Sequence, residues 1–362
     1  MEVASALTEI LLRLPIKSVA HCACVCKEWR TLIESEGFVT SHLLESRQQR
    51  RKVMMVTNGR ARKNFGFMPV EAWLGARDHP DSLFVDDDKV VCSNPCHGLN
   101  LISTSSDDYL CNPCTGSIRC LGVRGKILVV HDKDHLQPGR RNVGLWFDRL
   151  TREHVAVEVT HFVGGAPVCM VKTSCAEYWS RAGEPPMPVT DMPPAHVDGT
   201  LYWMSSEAEE ARERFVVAFD IPTRVFAAFP CQPCSGDGDP FLVELEGALA
   251  LVLANGEENG LRIWMMREHG TWVNFYNISL DKHPEFSLRC RQVAVPLEVV
   301  AGDDSSSRIL LDTGRALGYY YYDTRTGAID VAYSPDQLHH PRRNQLAFPI
   351  LCEESLSRIQ DD

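Results

Sequence analysis

Two rhythms of hydrophobic and polar positions divide the chain. Near the N-terminus apolar side chains recur at helical spacing. Leu7, Ile10, Leu11 and Leu14 fall at i, i+3, i+4 and i+7, one stripe along a helix. Pro15 ends that helix, because it lacks an N–H and disfavours helix in the residue before it. Ser18 reads as the N-cap of a second short helix from Val19 to about Cys24. Val25, Trp29, Leu32 and Ile33 make a third stripe, which Gly37 closes. Three helices of this length bury too little apolar surface to stand alone, so the unit needs a partner.

After about residue 65 the helical rhythm fades and short strands bounded by turns replace it. Tyr109–Gly116, Gly144–Arg152, Phe215–Arg224 and Tyr319–Gly327 share one pattern. Each is an apolar strand, then Asp or Asn, then a turn ending in Gly or Arg, then another strand. The Asp or Asn, at 112, 148, 220 and 323, accepts backbone N–H bonds in the turn. Gly116 and Gly327 suit a left-handed position that Arg152 and Arg224 fill less comfortably. A second piece sets Gly before an apolar run, in Cys96–Ile102, Val197–Trp203 and Leu245–Val252. Spacings that fit a repeat of roughly 35–50 residues predict a β-propeller of about six blades, or seven.

Specific signatures sit on both patterns. Glu9-Ile-Leu-Leu-Arg-Leu-Pro-Ile-Lys-Ser-Val19, Cys24-Val-Cys-Lys-Glu-Trp-Arg-Thr-Leu-Ile33, Phe38 and His42-Leu43 closely resemble the F-box of plant F-box families. Two features depart from that pattern: Glu2-Val3-Ala4 replaces an opening Leu-Pro, and His21 and Ala23 replace arginines. The resemblance implies docking on a Skp-type adaptor and, through it, a cullin scaffold. Carried over residue by residue, it implies adaptor contacts at Leu11, Leu14, Pro15, Ile16, Val19 and Val25. Leu7, Ile10, Trp29, Leu32 and Ile33 become the internal core of the F-box. Cys-His-Gly-Leu, Asn-Pro-x-Thr-Gly, Val-Asp-Gly-Thr-Leu-Tyr-Trp and Ile-Trp-x(7)-Trp, in that order, resemble the F-box-associated, kelch-like domain. The implied organisation is an F-box over 1–45, a basic linker over 46–64, a propeller over 65–352 and an acidic tail over 353–362. The implied role is the substrate-recognition subunit of a ubiquitin ligase, itself non-catalytic, acting in the cytoplasm, the nucleus or both. The alternatives are a kelch-like propeller enzyme and a scaffold that binds adaptor without target turnover.

Charge sharpens this reading. The net charge of −11 divides into +5 over residues 1–63 and −16 over the remainder. An acidic body argues against nucleic acid as partner. No apolar run reaches the roughly 18 residues of a membrane helix, and the N-terminus lacks the pattern of a secretory signal. The fourteen cysteines are therefore expected as reduced thiols. Cys111-x-x-Cys114 and Cys231-x-x-Cys234 lie too far apart in sequence for a zinc ribbon, and neither a metal nor a cofactor is expected. No Gly-x-Ser-x-Gly, phosphate-cradling Gly-x(4)-Gly-Lys or His-Glu-x-x-His motif is present. Target contacts are expected in propeller loops, with Trp203, Asp237 and Trp264 as candidates. The runs Asp86–Asp88 and Asp303–Asp304 are expected as loop charges, the alternative being acidic rims that attract a basic target.

Overall fold

The structure, a computed structural model, describes residues 2–47, 52–58, 65–69, 91–104, 107–123, 138–162, 165–190, 192–206, 213–234, 239–267, 270–283, 294–301, 307–313, 318–333 and 348–359. Four helices, α1 (Glu2–Leu12), α2 (Ile16–Cys22), α3 (Lys27–Ile33) and α4 (Glu36–Arg47), form a head. Pro15 ends α1 as expected and also opens α2 in an extended conformation, so α2 starts earlier than Ser18 suggests. The Cys26 sulfur caps α3 by accepting the Trp29 N–H at 3.4 Å. Gly37 does not terminate anything. It lies in the first turn of a fourth helix, where the Ser35 hydroxyl accepts the Phe38 N–H. Leu11, Val19, Ile33 and Phe38 make the head's core.

The rest is all β. β1 (Lys52–Asn58) and β2 (Phe65–Pro69) precede five four-stranded blades. Blade 1 holds β3 (Val91–Cys92), β4 (Asn100–Ser103), β5 (Asp107–Asn112) and β6 (Ser117–Val123). Blade 2 holds β7 (Pro138–Asp148), β8 (Glu153–Phe162), β9 (Val168–Thr173) and β10 (Ser180–Gly183). Blade 3 holds β11 (Ala195–Val197), β12 (Thr200–Met204), β13 (Phe215–Asp220) and β14 (Val225–Pro230). Blade 4 holds β15 (Asp239–Leu245), β16 (Ala248–Asn255), β17 (Gly260–Met266) and β18 (Trp272–Ser279). Blade 5 holds β19 (Val295–Ala301), β20 (Ser307–Asp312), β21 (Tyr319–Asp323) and β22 (Ile329–Tyr333). Finally β23 (Phe348–Cys352) pairs antiparallel with β1 in a sheet ordered β2-β1-β23. Among the described residues, where six or seven blades are expected, there are five four-stranded blades and one three-stranded sheet made from both ends of the β region.

Adjacent sheets bury their faces on one another, as a propeller requires. Met54, Val56 and Ile350 of the closing sheet meet Ile102 of blade 1. Leu101 and Leu145 join blades 1 and 2, Val157 and Phe219 join 2 and 3, Met204 and Leu251 join 3 and 4, and Ile263 and Ile309 join 4 and 5. A charged weld adds to the blade 1–2 seam. Arg141 donates to Glu158 from Nε at 2.6 Å and to Asp108 from Nη2 at 3.1 Å. Burial, and then the neighbouring Glu158, raise the Asp108 carboxyl above its usual range, against the pull of Arg141.

Two expected boundaries move. The segment expected as a basic linker contains β1, whose Met54 and Val56 are core residues. The segment expected as an acidic tail is a packed strap. Asn112 donates from Nδ2 to the Ser355 and Ser357 carbonyls at 2.8 and 2.9 Å. The Gly98 N–H donates to Glu353 at 2.8 Å. Leu356 packs on the head's core and Ile359 on blade 1. Ser46 to the Glu354 carbonyl, Arg152 to Glu36 and Arg358 to Glu34 complete the join between head and propeller. The thiols differ too: Cys231 and Cys234, with Cα atoms 5.5 Å apart around the turn Gln232–Cys234, form a disulfide, a separation within the normal span of such a bond.

A chain beginning at residue 65 loses the central strand of the closing sheet. Its thermal unfolding midpoint is expected well below that of a chain beginning at residue 52, measured by far-UV circular dichroism. Equal midpoints would show that β1 contributes nothing to closure.

Candidate functional site

The turn chemistry that builds the hairpins also builds a mouth. Cys96 bridges Leu99, Val197 pairs Thr200 and Leu245 pairs Ala248, each across a two-residue loop. Both loop residues have positive φ in all three: 50° and 84° at His97-Gly98, 47° and 81° at Asp198-Gly199, 52° and 76° at Glu246-Gly247. That is the mirror-image turn whose twist matches paired strands, and glycine suits its second position. Gly98 is required twice over, since a Cβ there would lie 2.1 Å from the Ser355 hydroxyl of the strap.

The other recurring turn behaves as expected. Asn112, Asp148, Asp220 and Asp323 each accept a backbone N–H two or three residues on, at 2.7–2.9 Å. Gly116, Arg152, Arg224 and Gly327 all take positive φ. Asp148 differs in one respect: its hairpin is the first of its blade, whereas the other three join third and fourth strands. Because strands alternate in direction, first and third hairpins emerge at the same end of a blade.

That end encloses a cavity of about 660 Å³, reached by all five blades, the strap and Ser46 of the head. One wall is aromatic. His97 stacks on Phe147 at 3.7 Å between ring centroids, and Phe147 meets His154 at 4.9 Å. Trp146 lines the cavity beside Gly199, and Leu150 stands 95% exposed at its edge. Among the described residues Asp148, Asp198, Glu244, Glu298, Glu353 and Glu354 also line it, as does Arg149. Burial alone would raise the Asp148 carboxyl slightly, but the Leu150 and Thr151 hydrogen bonds outweigh it and hold the group below the usual range. Among the described residues no group of three or more His, Cys, Asp or Glu is arranged to hold a metal ion, and no helix is long and apolar enough to cross a membrane.

Two of the residues expected to meet a target lie between blades. Trp203 is 2% exposed, in the core between blades 2 and 3, because strand alternation turns it inward. Trp264 is half-buried at the seam of blades 3 and 4. Asp237, Asp86–Asp88 and Asp303–Asp304 lie outside the described residues.

On the head, Leu11 and Val19 are core residues and Ile16 is buried, so none of the three offers a free surface. Leu14 is half-buried, its carbonyl 3.1 Å from His42 Nε2. Pro15 and Val25 are exposed, as is Ile10, which was expected inside. Leu7, Trp29 and Leu32 pack on the core around Ile33. Ile10 sits at the edge of its stripe, and Val25 lies in the turn before α3 rather than on a helix.

Residues 5–40 match the F-box domain. An F-box/LRR-repeat protein of Arabidopsis thaliana is 25% identical over 87% of this chain and 75% of its own length. A putative F-box/kelch-repeat protein of the same plant is 24% identical, over 90% and 84%. A putative F-box protein, also from Arabidopsis thaliana, is 24% identical over 97% and 90%.

His154, packed against Phe147 of the cavity wall, makes the stability of the fold sensitive to pH. Burial, and secondarily the charge of His97, lower it from 6.5 to about 4 against the pull of the Cys96 carbonyl. Between those values the folded state holds fewer protons than the unfolded chain. Stability is therefore lost as pH falls through 6.5 and levels off near 4, by on the order of 3 kcal/mol from this group. Urea unfolding at pH 7 and pH 4.5 is expected to show a smaller acid loss in His154→Phe than in the native chain. Parallel losses would remove His154 as the cause.

Proposed function

With an F-box domain at its N-terminus and plant F-box and F-box/kelch-repeat proteins as homologues, we propose that this chain is the substrate-recognition subunit of a Skp–cullin–F-box ubiquitin ligase. The head docks on a Skp-type adaptor and thereby on a cullin, and the mouth receives a target protein. No bond is made or broken by the receptor itself in this role. It contributes proximity, raising the effective concentration of a target lysine at the ubiquitin-conjugating enzyme.

One observation carries the reading. The head leaves large apolar side chains uncovered, Ile10 at 60% and Val25 at 67% exposure, while Leu356 and Ser46 fix it to the propeller through the strap. Exposed apolar groups on a small helical unit are what a partner surface covers. The sharing of one face by mouth and head suits a receptor that holds its target beside the adaptor.

The adaptor test separates docking residues from core residues. Ile10→Asp with Val25→Asp is expected to cut co-purification with a Skp-type adaptor at least about tenfold without moving the unfolding midpoint. Leu11→Ala is expected to destabilise the head by about 3 kcal/mol. Undiminished adaptor recovery from the double variant would overturn the docking surface.

A further inference from the structure

We propose that Cys114 and Cys352 are a hydroperoxide-responsive thiol pair, whose disulfide staples the root of the strap to blade 1. The pair lies outside the mouth's hairpins and does not depend on the receptor reading.

The topology brings the two thiols together. Cys114 sits in the turn between β5 and β6, where its N–H donates to Asn112 Oδ1 at 2.9 Å. Cys352 ends β23 and is buried. Both belong to the seam between blade 1 and the closing sheet, Cys352 in its core and Cys114 packed against it. Cys114 Sγ donates to the carbonyl of Glu353, the residue after Cys352, at 3.6 Å. The two thiols also share a hydrogen bond, in which Cys352 donates to Cys114. Cys111 lies in the same cluster, and its thiol donates to the Asn100 carbonyl at 3.4 Å.

Their surroundings give the two sulfurs different roles. Cys114 is half-buried and open to a small oxidant, whereas Cys352 is enclosed. The hydrogen bond from Cys352 holds the Cys114 thiol below its usual range against burial, and the Ser355 N–H and Lys52 pull the same way. The same hydrogen bond, and then burial, push Cys352 well above its range. The thiolate is the nucleophile in thiol chemistry, so Cys114 attacks and Cys352 resolves. An accessible, acidified thiol beside a second cysteine is the arrangement in which oxidation ends in a reversible disulfide.

The oxidant is a hydroperoxide. The Cys114 thiolate attacks its terminal oxygen, the O–O bond breaks, and the departing oxygen takes a proton to leave as an alcohol or water. Cys114 is then a sulfenic acid. The Cys352 sulfur attacks the Cys114 sulfur, the S–O bond breaks, and hydroxide leaves as water with the Cys352 proton. Two thiols and one hydroperoxide thus give one disulfide, one alcohol or water, and one further water. A dithiol reductant restores both thiols by exchange.

The bridge reaches far along the chain. Cys114 and Glu353 are 239 residues apart, so the closed loop spans most of the propeller. A cross-link over a long loop removes much of the freedom of the unfolded chain. It also pins the strap where it leaves β23, just before its bonds to Gly98 and Asn112 and its contact with the head through Leu356. Cys231 and Cys234, only three residues apart, fasten nothing beyond their own turn.

The test uses the full chain, reduced, freed of reductant and treated with a slight excess of hydrogen peroxide. It is then acid-quenched, alkylated and mapped by mass spectrometry without reduction. A peptide pair joined through Cys114 and Cys352 is expected, and dithiothreitol is expected to abolish it. The thermal unfolding midpoint is expected to rise by about 5 °C or more on oxidation and to fall back on reduction. In Cys352→Ser, Cys114 is expected to stop at the sulfenic acid and be captured by dimedone. In Cys114→Ser, oxidation at Cys352 is expected to slow at least about tenfold, and the midpoint no longer to rise. Cys231→Ser with Cys234→Ser is expected to keep both the bridge and the rise. If Cys352→Ser does not fold, the map of the native chain decides. No Cys114–Cys352 link in the native chain, or a Cys111–Cys114 link in its place, would overturn the proposal. So would a link without a rise in midpoint, or a rise that survives Cys114→Ser.

Discussion

The structure hangs on the pairing of β1 with β23. Strands about three hundred residues apart in the chain become neighbours, and the sheet they make packs on blade 1 through Met54, Val56, Ile102 and Ile350. A ring of sheets stays open until its last sheet contains strands from both ends. Once β23 is in place, the chain that leaves it has one course: across Gly98 and Asn112 of blade 1, then under the head, where Leu356 joins the helical core. The closing sheet and the attachment of the head thus use one continuous stretch of chain. The head's small core gains a residue from the far end of the chain, which offsets the poor burial that a helical unit of this size achieves alone.

The site follows from the same repetition. Two-residue turns with paired positive φ recur in blades 1, 3 and 4, and they bring His97, Asp198 and Gly247 to one cavity. Short, rigid turns of this kind place side chains with little freedom to lose, so a mouth made from them is largely organised before a ligand arrives. The strap passes along its edge and contributes Glu353 and Glu354. The residues that hold the head therefore also shape the wall on which a target is proposed to rest.

Much of this was legible in the sequence because it is local. The presence of N-terminal helices, the stop at Pro15 and the turn acids at 112, 148, 220 and 323 need only neighbours within a few positions, and the structure bears each of them out. The Gly-marked pieces were read as strand starts, yet the residue before each Gly was the real pointer to the mouth: His97, Asp198 and Glu246 take the left-handed conformation there. What stayed hidden is non-local. β1 looks like part of a basic run because its partner lies at the other end of the chain. Ser355-Leu356-Ser357 looks like a tail because its partners are Asn112, Gly98 and the head. Trp203 resembles a surface anchor by residue type, and only strand register shows that it faces the core. On the head, helical period alone did not separate Leu11, which is 1% exposed, from its neighbour Ile10 at 60%.

The claim on which the rest depends is that the strap holds the head at a fixed place on the mouth face. Pulsed dipolar spectroscopy between one spin label on the outer face of α3 and another on the exposed side of β18 measures that directly. A fixed head predicts a single narrow distance distribution in the full chain and a broad one when the chain is cut after Cys352. A broad distribution in the full chain, or no change on removing the strap, would contradict it.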